Sequence, residues 1–114
     1  MTTAITLTTH DSPAGPVLAV AGGLDHDSAE QLRTAVSAIA LRPGQLLTID
    51  LSGLVFCDSS GITALIAADH HTRSRGADLA LAHVPPFTVR SLRLLGLDQV
   101  LRIRSTAETD TDPD

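Results

Sequence analysis

Leu54-Val55-Phe56-Cys57-Asp58-Ser59-Ser60-Gly61-Ile62-Thr63-Ala64-Leu65-Ile66-Ala67-Ala68 is the stretch on which the reading of this chain turns. It is a short apolar approach, a polar knot at Asp58-Ser59-Ser60, and then a helical run with almost no polar side. Asp or Ser before such a run is N-cap chemistry, because the side-chain oxygen accepts an orphan amide proton of the first turn. Gly61 is out of place there. Inside a helix it costs about 1 kcal/mol relative to Ala, so its missing side chain calls for a reason. The expectation is a bare first turn that lets another surface reach the two hydroxyls. Two serines beside an acid, at the positive end of a helix, make a candidate modification site.

Outward from this stretch the pattern repeats a simple theme. Leu46–Leu51 is a near-continuous apolar run of strand length, which Ser52-Gly53 is expected to end. The helix after it is expected over about 59–73, with Gly76 as its C-terminal cap. Its last residues, Asp69-His70-His71-Thr72-Arg73, read as a wet end. Upstream, Thr2–Thr9 alternates as a half-buried strand, a turn follows at His10–Pro16, and Val17–Ala21 pairs back as a hairpin. Gly22-Gly23 closes that strand. Asp27 and Glu30 have the form of a capping box, and Leu32, Ala35, Val36 and Ile39 form one helical stripe that Pro43-Gly44 stops. Downstream, Ala77–His83 alternates as a strand, Pro85-Pro86 opens a third helix lined by Val89, Leu92 and Leu95, and Val100–Ile103 is a last edge strand.

The order β-β-α-β-α-β-α-β implies a single α/β domain, a mixed sheet of four to five strands with about three helices packed on it. At 114 residues the chain is one domain. Its formal charge of −5 is concentrated in residues 105–114, where Glu108, Asp110, Asp112 and Asp114 stand without a base. The rest holds nine acids against eight arginines, so no basic nucleic-acid face is expected. There is no lysine, which excludes a P-loop or Schiff-base lysine. Two phenylalanines are the only aromatics. The single Cys57 permits no internal disulfide. With no apolar run of spanning length and no leader pattern, a cytoplasmic protein is expected.

The polar candidates group at two turns. Asp25 and His26 stand at the mouth of one strand, and Asp58, Ser59 and Ser60 at the mouth of the next, where α/β sheets carry their sites. For Asp25 the alternative is plain helix capping in competition with Asp27. Asp50 is a strand-end residue facing the same loop, and Cys57 a small buried residue with no local histidine to activate it. His70-His71 lack companion ligands, so no metal site is expected. Ser59, His26 and Asp25 supply the letters of a hydrolase triad, but no Gly-x-Ser-x-Gly elbow accompanies them.

Gly22-Gly23-Leu24-Asp25-His26, Asp50 through Ile62, and Val89-Arg90-Ser91-Leu92 ending at Gly96-Leu97 together resemble the bacterial anti-sigma factor antagonists, which are stand-alone STAS domains. The resemblance runs from Thr3 to Arg104, and residues 105–114 would then be a disordered acidic tail. It implies a regulatory protein rather than an enzyme, with no cofactor. Its partner would be an anti-sigma factor that is also a serine kinase, with a serine phosphatase as a further partner. The phosphorylated serine would be Ser59, with Ser60 the second choice; spacing alone does not separate them. The partner-facing set would be Asp25, His26, Asp58, Ser59, Ser60, Gly61, Ile62 and Thr63. Two positions depart from the pattern: Gly23 replaces an acidic residue, and Thr63 a glycine. The alternative expectation is a STAS scaffold in another assembly, such as a stressosome or a lipid-transport ATPase, binding constitutively.

Overall fold

The computed structural model describes residues 5–104. The order is β1 (Thr6–Ser12), β2 (Gly15–Leu24), α1 (His26–Ala38), β3 (Leu46–Cys57), α2 (Ser59–Ser74), β4 (Asp78–Ala82), α3 (Pro86–Leu94), a single 3-10 turn (Leu97–Gln99) and β5 (Arg102–Arg104). The strands lie side by side in chain order, β1 antiparallel to β2 and all other neighbours parallel. This is the mixed sheet with three helices expected from the sequence. The acidic segment 105–114 and the expected start of the first strand at Thr2 lie outside the described residues.

Parallel strands joined by right-handed crossovers, taken in unbroken order, set every helix on the same face of the sheet. The burial pattern follows that rule. Leu18, Val20, Leu47, Ile49, Leu79 and Leu81 are buried under the helices, whereas Val17, Ala19, Thr48 and Asp50 on the opposite face are half-exposed. From α1 come Leu32 and Val36, from α2 Ala64, Leu65 and Ala68, from α3 Leu92. Each large aliphatic side chain taken out of water contributes roughly 1.5–3 kcal/mol. With no aromatic in this cluster, the core is an aliphatic one throughout.

Several sequence expectations need correction: the turn expected at His10–Pro16 narrows to Pro13-Ala14 between β1 and β2, and Leu95, expected on the core side of α3, is 62% exposed. β3 does not stop at Ser52-Gly53 but runs on to Cys57, with one extra residue between Asp50 and Gly53 where it pairs with β2. A β-bulge absorbs the polar pair without breaking the strand, and the Asp50 carboxylate accepts the Ser52 N–H at 2.9 Å. Asp50 therefore sits inside β3, not at its end. β2 likewise continues through Gly22-Gly23 to Leu24, with Gly22 at φ +105°, a conformation open to glycine. The end of α2 is not uniformly wet: Asp69 is 2% exposed. It forms an ion pair with the exposed Arg73 at 3.0 Å, and His71 has its Nε2 shielded from solvent. Arg73 also reaches the Val100 carbonyl at 3.5 Å, so this residue fastens α2 to the turn before β5.

Candidate functional site

The two polar turns of the sequence are brought together by the sheet. Leu24 and Cys57 are the last residues of adjacent parallel strands and are partners in register. The Asp58 N–H donates to the Leu24 carbonyl at 3.1 Å, joining the two strand exits. From there each strand turns directly into a helix. Asp25 caps α1 and Asp58 caps α2, side by side at the C-terminal edge of the sheet.

At the first opening the cap is reciprocal. The Ser28 N–H donates to Asp25 Oδ1 at 3.0 Å, and the Asp25 N–H donates to Ser28 Oγ at 2.9 Å. The Ser28 hydroxyl, buried, donates to the Gly23 carbonyl at 2.7 Å. The capping box is thus Asp25 with Ser28, and the expected pairing of Asp27 with Glu30 is corrected: Asp27 lies in the first turn of the helix. The Ser28 N–H at its carboxylate holds the Asp25 pKa below its ordinary value. That carboxylate accepts from both the N–H and the hydroxyl of Ser28.

At the second opening the cap is one-sided. Asp58 Oδ1 accepts the Gly61 N–H at 3.1 Å. Gly61 has no side chain to return the bond, and the two serines between them are left for other uses. Ser59 is exposed. Ser60 is half-buried and lines a groove of about 170 Å³ between α1 and α2 with His26, Glu30, Arg33 and Thr63. Thr63 is exposed, its hydroxyl donating to the Ser59 carbonyl at 2.9 Å. The two hydroxyls that the sequence left equivalent therefore face different surroundings.

Gly61 and Ile62 point the other way. Gly61 is buried, and a Cβ built on it would come within 2.7 Å of Cys57 Sγ and 2.8 Å of the Leu24 carbonyl oxygen. The glycine is required by inward packing of the helix on the strand exits, so the expectation of a bare outward turn is corrected. Ile62 is 8% exposed and belongs to the core. Burial, followed by the Asp58 charge, pushes the Cys57 thiol up to about 12, which leaves it neutral at physiological pH. The expectation missed Val55 and Phe56, both exposed just before Asp58; the scarcity of aromatics in the chain was the available signal. Glu30, read from the sequence only as a capping partner, and Arg33, one and two turns into α1, line the groove beside Ser60.

A model of the family described as "Mlab, STAS domain" matches residues 7–103, nearly the whole described chain. The chain belongs to the STAS-domain family. An anti-sigma-F factor antagonist of Mycobacterium tuberculosis, RsfB, is 29% identical to this STAS domain over 102 residues, covering 90% of this chain and 83% of the relative. The crystal structure of an anti-sigma factor antagonist from Mycobacterium paratuberculosis superposes with a TM-score of 0.77 at 28% identity, covering 89% of this chain and 86% of the other. The fold is also that of the Bacillus cell fate determinant SpoIIAA in its phosphorylated form, with a TM-score of 0.64 at 20% identity over 93% of this chain and 96% of that one. No helix of this STAS domain, among the described residues, is long and apolar enough to cross a membrane.

Proposed function

We propose that this STAS domain is an anti-sigma factor antagonist whose binding is switched by phosphorylation of Ser59. Unphosphorylated, it engages an anti-sigma factor that is also a serine kinase and so frees a sigma factor; phosphorylated, it lets go. A serine phosphatase resets it. The observation that carries the choice of residue is the difference between the two serines. Ser59 is exposed at the first position of α2, whereas Ser60 is half-buried in the groove beside His26 and Arg33. A kinase must bring the γ-phosphate in line with the hydroxyl, and Ser59 is the hydroxyl open to that approach.

The switch needs no refolding. A phosphoserine adds about −1.5 to −2 charges at neutral pH, and a helix N-terminus tolerates an anion because its dipole is positive there. Asp58, one residue away, already occupies the Gly61 N–H, so the added charge is directed outward toward a partner. At 4 Å, two like charges repel by about 1 kcal/mol in water and about 4 kcal/mol at a half-dried interface. A tenfold loss of affinity needs about 1.4 kcal/mol. Local electrostatics is therefore sufficient.

The test is intact mass after incubation with purified anti-sigma factor serine kinases from the same genome and ATP. One added phosphate, absent in Ser59→Ala and accompanied by at least tenfold weaker binding, is the expected result. Tight binding with no phosphate transfer would make the protein a constitutive STAS scaffold instead. Phosphate transfer that persists in Ser59→Ala and disappears in Ser60→Ala would move the site into the groove.

A further inference from the structure

Both aromatic residues of the chain, Phe56 and Phe87, are on the surface, 37% and 42% exposed. Phe56 takes no part in the core cluster. A local backbone irregularity accounts for its position. In the pairing of β2 with β3, Gly22 faces Leu54 and Gly23 faces Phe56, so Val55 is an extra residue without a partner. Such a bulge bends the strand and re-aims the side chains that follow it. Val55 is left 61% exposed, and the Phe56 ring is brought down on Gly23. A Cβ at Gly23 would overlap Phe56 Cε2 and stand 2.6 Å from Cζ. The ring lies over the buried Gly23, in the space that a Cβ there would enter.

The ledge this makes is continuous with the site. Gly23 leads through Leu24 to the Asp25 cap, and Phe56 leads through Cys57 to the Asp58 cap. Ser59 is three positions along the chain from Phe56, which at about 3.3 Å per residue places them within roughly 10 Å of each other. Gly23, Val55 and Phe56 carry no charge, while Asp25, Asp58 and the serines beside them are polar. An aromatic anchor bordered by polar residues is the arrangement that concentrates binding energy in protein interfaces.

We infer that the ledge of Val55 and Phe56, with the ring seated over the buried Gly23, is the apolar half of the partner contact, fitting an anti-sigma factor that presents an apolar side chain there. The inference rests on the function proposed above and divides its labour: the ledge supplies affinity and partner choice, and Ser59 supplies the switch. A side chain at position 23 would have to displace the ring, and with glycine there this part of the contact carries no charge.

The test measures binding of the purified, unphosphorylated domain to the anti-sigma factor serine kinase by calorimetry, with melting curves for each variant. Phe56→Ala is expected to weaken binding at least tenfold, Val55→Ser about threefold, and Phe56→Leu less than threefold. Ser59→Asp is measured alongside. Wild-type affinity in both Phe56→Ala and Val55→Ser, with Ser59→Asp weakened, would overturn the ledge and leave the switch standing. Weakening in the ledge variants with Ser59→Asp unaffected would retain the ledge and remove the switch. Should Phe56→Ala melt below the assay temperature, Val55→Ser decides, because that side chain is mostly in water and its removal leaves the core intact.

Discussion

The openings of α1 and α2 are the same device used to different ends. Each follows a parallel strand, each is capped by an aspartate, and the two strand exits are joined by one hydrogen bond. The difference lies three residues past the cap. Ser28 returns the Asp25 bond and spans to the Gly23 carbonyl, closing the first opening. Gly61 returns nothing and packs inward, and Ser59 at the second opening is left exposed. A structural serine and a candidate regulatory one thus stand at neighbouring, almost equivalent corners of one sheet. What separates them is whether the hydroxyl is already committed.

The largest effect that would sharpen this contrast concerns Cys57. With its thiol at about 12, its thiolate population at pH 8 is roughly a thousandfold below that of an ordinary cysteine. Iodoacetamide should therefore modify it correspondingly slowly in the native protein, and alkylation at the rate of a free thiol would show that the second opening is looser than described. Next in size is Ser28→Ala, which strands the Gly23 carbonyl and the Asp25 N–H and should cost about 2–3 kcal/mol. Ser59→Ala, at an exposed hydroxyl, should stay within about 0.5 kcal/mol. Equal urea midpoints for these two variants would erase the distinction between the openings.

Gly61→Ala gains about 1 kcal/mol of helix propensity and loses more to the clash with Cys57 Sγ and the Leu24 carbonyl. Overpacking of this kind costs about 1–3 kcal/mol, and because one of the atoms met is backbone, a net destabilisation of about 1–2 kcal/mol is expected. A more stable Gly61→Ala would restore the outward-facing reading of that glycine. Asp58→Ala should cost about 1 kcal/mol as a lost cap, with Asp58→Asn closer to wild type. The smallest effect is in the pH dependence of the first opening. The Asp25 pKa is lowered in the fold, so its carboxylate contributes stability above the ordinary value of 3.8, and loses it as the pH falls through the lower folded value. The melting-temperature gap between wild type and Asp25→Asn should hold from neutral pH to about 5 and close below about 4. A gap that is unchanged in strong acid would contradict that sign.

What was legible in the sequence was the part that depends on residues a few positions apart. The element order, the N-cap at Asp58, the glycine after α2 and the proline opening of α3 follow from hydrogen bonds and dihedral preferences within a turn or two. So does the presence of a helix after Asp25. The serine turn itself was visible because a polar triplet before a nearly all-apolar helix is conspicuous in any order of reading. The partner of the Asp25 cap was not: Asp27 with Glu30 has the same spacing as Asp25 with Ser28, and only the place where β2 ends chooses between them.

Other features depend on residues distant in the chain. Gly61 is held to glycine by Cys57 and the Leu24 carbonyl, and Gly23 lies under the Phe56 ring. β3 runs through Ser52-Gly53 because β2 pairs with it on both sides of the bulge. Asp69 is buried in a segment whose composition reads as wet, close to where Arg73 reaches toward the β5 turn. By itself the sequence determined the elements and the capped turn, since those are settled by local hydrogen bonds. Only the tertiary structure decided which serine is free and which aromatic is exposed, because exposure is a property of what packs alongside.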